Sequence, residues 1–251
     1  MTYCLAMKVD AGLVFIADSR TNAGVDQIST YSKMHRFGFD GQRQFCLLTA
    51  GNLATSQAIV TQVKFDIDQT LPISLASVTT LAEATEYVGQ VSIMQQQKAG
   101  GGPEFEASII FGGQIAGSTP ELVLIYPQGN HIATSDTTPF FQIGESKYGK
   151  PILDRIITRD SALHTTVLCG LVSMDSTMRS NVTVGPPLEI LVYTADSLTM
   201  NEHITLNEDS DYLRELKRSW DEHLKEAFRQ LPPPEWAGMW DHPDDEASGQ
   251  A

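Results

Sequence analysis

The sequence has few cysteines, few basic residues and no long hydrophobic run. Its 251 residues include three cysteines, Cys4, Cys46 and Cys169, which are odd in number and form no CxxC pair. This argues against a secreted disulfide scaffold and favours a reducing cytoplasm. The longest apolar stretches, such as residues 13–17, are strand-sized and too short to cross a bilayer. Because no signal peptide is visible either, we expect a cytoplasmic protein without a membrane partner.

Acidic residues exceed basic residues by a wide margin. The chain has 31 Asp and Glu against 17 Lys and Arg, which gives a formal net charge of -14. Nucleic acids and anionic membranes are bound through basic patches, so this balance argues against both as partners. Hydrophobic residues make up 41% of the sequence, which is enough to build a folded core.

The periodicity of the hydrophobic residues divides the chain into strand hairpins and pairs of helices. A doubly wound parallel sheet would alternate strands and helices singly, so the order favours an α+β sandwich with antiparallel sheets between helix pairs. Strands are predicted at residues 3–9, 13–17, 34–39, 45–50, 106–115, 122–126, 131–134, 140–143 and 188–194. Helices are predicted at residues 53–67, 78–98, 148–157, 163–179 and 208–230.

No internal repeat or linker interrupts residues 1–230, which we interpret as one domain. Residues 231–251 contain three consecutive prolines near their start, five acidic residues and no Lys or Arg. This composition predicts an extended C-terminal extension. Trp236 and Trp240 lie four residues apart in this extension. Such a pattern is as typical of a docking peptide as of an unattached tail, and both interpretations stay open.

Thr2 is the first residue whose position suggests chemistry. Removal of Met1 would leave an α-amine beside a hydroxyl on the same residue. The ordinary pKa of such an amine is about 8, so it can accept the hydroxyl proton near neutral pH. A start of Met-Thr is common in cytosolic proteins, so this signal depends on the residues that follow.

Those residues form a recognisable pattern. Thr2-Tyr-Cys4 is followed by Ala17-Asp-Ser-Arg-Thr-Asn-Ala-Gly-Val25, then by Lys33 and Ala50-Gly51. In this order they resemble the proteasome β-subunits of the N-terminal nucleophile (Ntn) hydrolases, and most nearly their bacterial branch, the Anbu (ancestral β-subunit) homologues. The resemblance covers most of residues 2–230. It implies a four-layer α/β/β/α sandwich and self-association into a ring or spiral homo-oligomer.

The resemblance also implies catalytic roles for four residues. The Thr2 hydroxyl would attack the carbonyl of a peptide or amide substrate, and no cofactor would be needed. Lys33 would lower the pKa of that hydroxyl and move its proton, while Asp18 would orient Lys33. The N–H of Gly51 would bind the developing oxyanion. Outside this context, Asp18 and Lys33 would be a turn acid and a surface lysine.

The C-terminal half of the site departs from the family pattern. Where the family has Gly-Ser-Gly, with a hydroxyl near the terminal amine, this chain has Gly144-Glu-Ser-Lys147. Ser146 supplies the hydroxyl only if the alignment slips by one place, and otherwise Glu145 occupies the position. Asp175 and Ser180 correspond to a family Asp and a nearby Ser, although Asp175 could equally cap the end of a helix.

The substrate pocket and possible metal sites give weaker signals. By resemblance, Thr49 and Leu53 flank Gly51 and would shape the first side-chain pocket. Both are uncharged, so they indicate no preference for acidic or basic substrates. The six histidines show no metal-ligand spacing with one another or with the cysteines, and no metal is expected.

Three functions are consistent with these residues. The favoured one is a threonine-type peptidase or amidohydrolase that acts after the removal of Met1. The alternatives are a catalytically silent, self-assembling scaffold subunit and a hydrolase of small amides rather than peptides.

Overall fold

The computed structural model describes residues 2–22 and 28–236. Met1, residues 23–25 of the N-terminal pattern, Trp240 and most of the predicted extension lie outside the described residues. The strands are β1 (Tyr3–Val9), β2 (Gly12–Asp18), β3 (Arg20–Asn22), β4 (Ile28–Thr30), β5 (Met34–Phe39), β6 (Arg43–Gly51), β7 (Ala107–Ile115), β8 (Glu121–Ile125), β9 (His131–Ala133), β10 (Phe140–Gly144), β11 (Leu188–Thr194) and β12 (Glu202–Leu206). The helices are α1 (Leu53–Asp68), α2 (Leu81–Ala99), α3 (Lys150–Ile156), α4 (Leu163–Ser180) and α5 (Asp211–Arg229), with a 3-10 turn at Pro103–Phe105.

Two five-stranded antiparallel sheets form the centre of the fold. The first has the order β10-β1-β2-β11-β12, and the second has the order β5-β6-β7-β8-β9. A small ribbon of β3 and β4 stands apart from both. The first sheet therefore joins the N-terminal hairpin to strands that lie more than 120 residues later, because β1 pairs with both β2 and β10.

Three hydrophobic clusters separate four layers. The first lies between the second sheet and α1 and α2, and it contains the stacked rings of Phe45 and Phe111. The second fills the space between the sheets and includes Phe15. The third lies between the first sheet and α3, α4 and α5, and it includes Leu5 and Leu171. Burial of each large apolar side chain contributes about 1.5–3 kcal/mol to the stability of the fold. The four layers confirm the prediction of an α/β/β/α sandwich.

Caps set the starts of the helices. Asn52 accepts the Thr55 N–H at the start of α1, as its sequence position indicates. The predicted helix over residues 78–98 begins only at Leu81, because the Thr80 hydroxyl accepts the Glu83 N–H there. No helix in the described part of the chain is both long enough and apolar enough to cross a membrane.

Candidate active site

The ends of three strands bring an acid, a lysine and the N-terminal segment together. Asp18 is the last residue of β2, and Lys33 directly precedes β5 of the other sheet. Lys33 Nζ lies 2.6 Å from Asp18 Oδ1 and 2.7 Å from the carbonyl oxygen of Arg20, to which it donates. Asp18 is 0% exposed and Lys33 is 5% exposed, so the two charges form a buried ion pair.

Backbone donors complete the environment of Asp18. Its Oδ1 accepts the Tyr3 N–H at 2.9 Å, and its Oδ2 accepts the Gly185 N–H at 3.3 Å. Burial raises the pKa of the Asp18 carboxyl, while the Lys33 ammonium and the two N–H donors oppose that rise. The carboxylate therefore holds Lys33 and the start of β1 in one place.

The peptide group between Thr2 and Tyr3 is held from both sides. Its N–H donates to Asp18, and its carbonyl oxygen accepts the Glu145 N–H at 2.8 Å. Gly144 permits this approach, because its φ of +82° favours glycine and a Cβ would overlap the Thr2 carbonyl oxygen. Thr2 itself is half-buried, and the N–H of its peptide group with Tyr3 is held by the carboxylate that also binds Lys33.

The side chain of Tyr3 anchors β1 on the opposite face. Its hydroxyl lies 2.7 Å from the Ser173 hydroxyl of α4 and accepts a hydrogen bond from Gln142. Burial raises the pKa of Tyr3 to about 12, so the side chain stays neutral at physiological pH. These contacts fix the position of the residue that follows Thr2.

Gly51 ends β6 at the same edge as Lys33. The Thr49 N–H donates to the Lys33 carbonyl oxygen at 3.0 Å. Because N–H groups alternate along a strand, the Gly51 N–H lies on the same edge of β6, beyond the start of β5. Gly51 has a φ of +117°, and a Cβ would overlap the Glu106 carbonyl oxygen, so the position favours glycine.

Of the two candidates in the β10–α3 loop, Glu145 contacts Thr2 through its backbone. Ser146 lies one residue farther along, and its N–H donates to the Gly144 carbonyl oxygen at 3.1 Å. The Glu145 carboxylate is half-buried and accepts the Asn181 side-chain amide at 3.1 Å. Glu145 is therefore the residue of this loop whose backbone contacts Thr2.

Asp175 and Ser180 lie elsewhere on α4. Asp175 is 7% exposed, and the charges that act on it belong to Lys217, Arg179 and Asp221. Burial raises the pKa of the Asp175 carboxyl, which faces the packing of α4 against α5. Ser180 is exposed at the last residue of α4. Neither residue has a described hydrogen bond to the Asp18–Lys33 pair or to Thr2.

The loop after α4 contributes functional residues that the sequence interpretation missed. Asn181 binds Glu145, and Gly185 binds Asp18, so one loop contacts both carboxylates. Thr183 donates from its hydroxyl to Asn181 Oδ1 at 2.6 Å and from its N–H to the same oxygen at 3.0 Å. An Asn followed two residues later by Thr is a signal for such a turn, but it does not indicate what the turn contacts.

Of the two residues predicted to shape a pocket around Gly51, Thr49 is buried and Leu53 is partly accessible. Thr49 is 4% exposed and accepts the Cys4 thiol at its carbonyl oxygen, whereas Leu53 is half-buried at the start of α1. A separate polar cleft of about 510 Å³ opens beside Lys33, and neither Thr49 nor Leu53 lines it. Its lining includes Ser32, Met34, Arg36, Glu189 and Met200.

The described residues contain no group of three or more His, Cys, Asp or Glu side chains that could hold a metal ion. The site therefore consists of a hydroxyl, a buried lysine, two carboxylates and backbone N–H groups. These groups can carry out acyl transfer by a hydroxyl nucleophile, provided that a base is available.

Among three comparisons with known proteins, the one with solved structures finds similar chains. No protein-family model matches the chain, and no curated protein matches it. Among solved structures, Anbu (ancestral beta-subunit) from Yersinia bercovieri has a TM-score of 0.90 and 42% identity, covering 93% of this chain and 99% of that chain. The helical assembly of the Anbu complex from Pseudomonas aeruginosa has a TM-score of 0.89 and 44% identity, covering 94% and 100%. A Gly-1 mutant of Anbu from Hyphomicrobium sp. strain MC1 has a TM-score of 0.89 and 40% identity, also covering 94% and 100%.

Proposed function

This chain belongs to the Anbu family of bacterial proteasome β-subunit homologues, and on that premise we propose that it is an N-terminal threonine hydrolase of peptide or other amide bonds. Activity follows the removal of Met1, which frees the amine of Thr2. The observation that carries the proposal is the buried Lys33–Asp18 pair, with a separation of 2.6 Å, on the peptide group of Thr2. The Asp18 carboxylate thus links Lys33 to the residue that carries the candidate nucleophile, and a lysine near a hydroxyl is a device for activating it.

In the proposed mechanism, the Thr2 hydroxyl attacks the substrate carbonyl and transfers its proton to the Thr2 amine. Lys33 stabilises the developing alkoxide, and Asp18 keeps the ammonium group oriented. The Gly51 N–H donates to the oxyanion of the tetrahedral intermediate. The amine then protonates the leaving nitrogen and later activates the water that hydrolyses the ester.

Two measurements test this function. Intact mass spectrometry of the purified protein determines whether Met1 has been removed, and a peptide epoxyketone then tests the nucleophile. We expect an adduct that maps to Thr2 in the wild-type protein and none in a Thr2→Ala variant. Retention of Met1 in the natural protein, or no adduct on the processed and assembled protein, would contradict the proposal.

One observation favours a second candidate, a catalytically silent scaffold subunit. The residue that binds the Thr2 carbonyl oxygen is the acid Glu145, whereas the Gly-Ser-Gly pattern of proteasome β-subunits has a hydroxyl there. A probe adduct on Thr2 would exclude the silent scaffold, and a panel of peptides and small amides would then identify the substrate class. We keep a small amide as the alternative substrate because the same nucleophile can attack either.

We also propose that the chain assembles into a homo-oligomer, a ring or a spiral, in the cytoplasm. The Pseudomonas aeruginosa relative is described as a helical assembly. In this chain, α5 buries only Leu213 and leaves Leu224 52% exposed and Phe228 72% exposed. Such an apolar face is typical of a contact with another subunit. Light scattering and native mass spectrometry measure the assembly directly.

A further inference from the structure

Glu145 is connected to the N-terminal segment on one side and to the loop after α4 on the other. Its N–H binds the Thr2 carbonyl oxygen, and its carboxylate accepts the Asn181 amide. Asn181 in turn accepts the Thr183 hydroxyl at 2.6 Å. The carboxylate is therefore held by a chain of hydrogen bonds rather than extended into solvent.

The loop that holds Glu145 is itself fixed. The Arg20 side chain donates to the Val182 carbonyl oxygen at 2.9 Å, and the Arg20 N–H donates to the Gly185 carbonyl oxygen at 3.3 Å. Gly185 also donates to Asp18. The Asp18 and Glu145 carboxylates thus bind the same loop, which limits how far either can move.

The charges around Thr2 are not balanced. Asp18 and Lys33 neutralise one another in the buried pair, and Arg20 lies 3.7 Å from Glu208. None of the ion pairs among the described residues includes Glu145, and Lys147 nearby is exposed. The region around the start of β1 therefore carries one unpaired charge, the Glu145 carboxylate. It lies on the residue whose N–H binds Thr2, and Thr2 gains a free amine when Met1 is removed.

We propose that Glu145 is the counter-ion of the Thr2 α-ammonium and positions the amine after the removal of Met1. This inference rests on the proposed function only in requiring that processed terminus, and it does not require hydrolysis. A carboxylate beside an ammonium favours the charged form. The amine can act as a base only when it is neutral, so Glu145 shifts nucleophile activation to higher pH than a hydroxyl at the same position would.

The test measures the amine itself. The protein is produced as an N-terminal fusion whose cleavage leaves Thr2 first, and intact mass verifies the terminus. Acetylation of the amine by labelled acetic anhydride is followed against pH by peptide mass spectrometry. We expect Glu145→Gln to lower the midpoint by about one pH unit, which corresponds to about a tenfold larger neutral fraction at pH 7. Glu145→Asp should recover part of the wild-type midpoint.

Two further variants keep the result interpretable. Glu121→Gln removes an exposed acid from β8 in the other sheet and should leave the midpoint unchanged. Glu145→Ser should shift the midpoint in the same direction as Glu145→Gln, and it replaces that variant if Glu145→Gln does not fold. Equal midpoints in the wild-type protein and in the folded Glu145 variant would overturn the role of Glu145. Failure of the epoxyketone to label Thr2 would overturn only the hydrolase, because the amine titration is independent of it.

Discussion

Lys33 is a lysine that the fold tolerates in its interior because Asp18 and the Arg20 carbonyl oxygen accept hydrogen bonds from its ammonium group. An unpaired ammonium or carboxylate at that depth would be strongly unfavourable. The pair therefore joins the end of β2 to the start of β5, and Asp18 also holds the N–H of Tyr3, the residue after Thr2. The pairing of Asp18 with Lys33 was predicted from the family resemblance, because no local pattern in the sequence indicates it.

Lys33→Ala should abolish nucleophile activation and also weaken the fold. We expect the rate of epoxyketone labelling at Thr2 to fall by about 10²–10⁴-fold, because the alkoxide loses its stabilising charge. The free energy of unfolding should fall by about 3–5 kcal/mol, because Asp18 is left buried and unpaired. Labelling kinetics and urea unfolding measure the two effects.

The matched control for this prediction is Lys98→Ala, at an exposed position in the last turn of α2. It removes the same side chain and should alter neither measurement. Asp18→Asn combined with Lys33→Ala should restore much of the stability but not the labelling. Wild-type labelling rates in a folded Lys33→Ala variant would remove Lys33 from the mechanism.

At the scale of elements, strand register decides which residues meet Thr2. β1 pairs with β10 so that Tyr3 lies opposite Gly144, which brings Glu145 to the Thr2 carbonyl. The strands β3, β4 and β12 were not predicted. The first two have three residues each, and β12 is an edge strand whose side chains are half-buried or exposed. On α5, Asp221 forms an ion pair with Arg179 of α4, so the two helices are joined by charge as well as by packing.

Gly144→Ala should displace Thr2 without unfolding the protein. The added Cβ overlaps the Thr2 carbonyl oxygen, so the backbone of Thr2 must move from its present position. A shift of about 1 Å at a reacting group lowers rates by about 100-fold, and we expect a comparable loss of epoxyketone labelling. Labelling kinetics, with the melting temperature as a measure of folding, check this expectation.

Gly41→Ala is the control, because Gly41 also has a positive φ, +73°, but has open space where a Cβ would be. Both variants carry the backbone strain of an alanine in that region, and only Gly144→Ala carries the overlap. Equal labelling in the two variants would show that the contact of Gly144 with Thr2 does not position the nucleophile.

At the scale of the whole molecule, the net charge of -14 and the apolar face of α5 affect assembly in opposite ways. Like charges on neighbouring subunits repel one another, whereas exposed apolar side chains favour association. On α5, leucine and phenylalanine side chains alternate with charged ones, so the helix can offer an apolar stripe to a neighbour while its acids stay in solvent.

Phe228→Ser should weaken the homo-oligomer without destabilising the subunit. The side chain is 72% exposed, so its removal costs the monomer little. Loss of its burial at an interface would cost about 1.5–3 kcal/mol per contact, which is about a ten- to hundredfold weaker association. Light scattering over a concentration series measures this change.

Glu222→Ser, on the same helix and also exposed, is the control and should leave the oligomer intact. An unchanged concentration dependence in Phe228→Ser would mean that subunits associate through a different face.

The sequence by itself determined the order of the main strands and the helices, which follows from local periodicity and caps. Its N-terminal pattern also carried the family resemblance that implied the four layers and singled out Asp18, Lys33 and Gly51. Only the tertiary structure decided that the Glu145 N–H binds the Thr2 carbonyl oxygen, that Asp175 faces α5, and that Asn181 binds the Glu145 carboxylate. The reason is physical, because each of these contacts depends on a register or a packing angle between segments far apart in the chain, and a slip of one residue would change the partner.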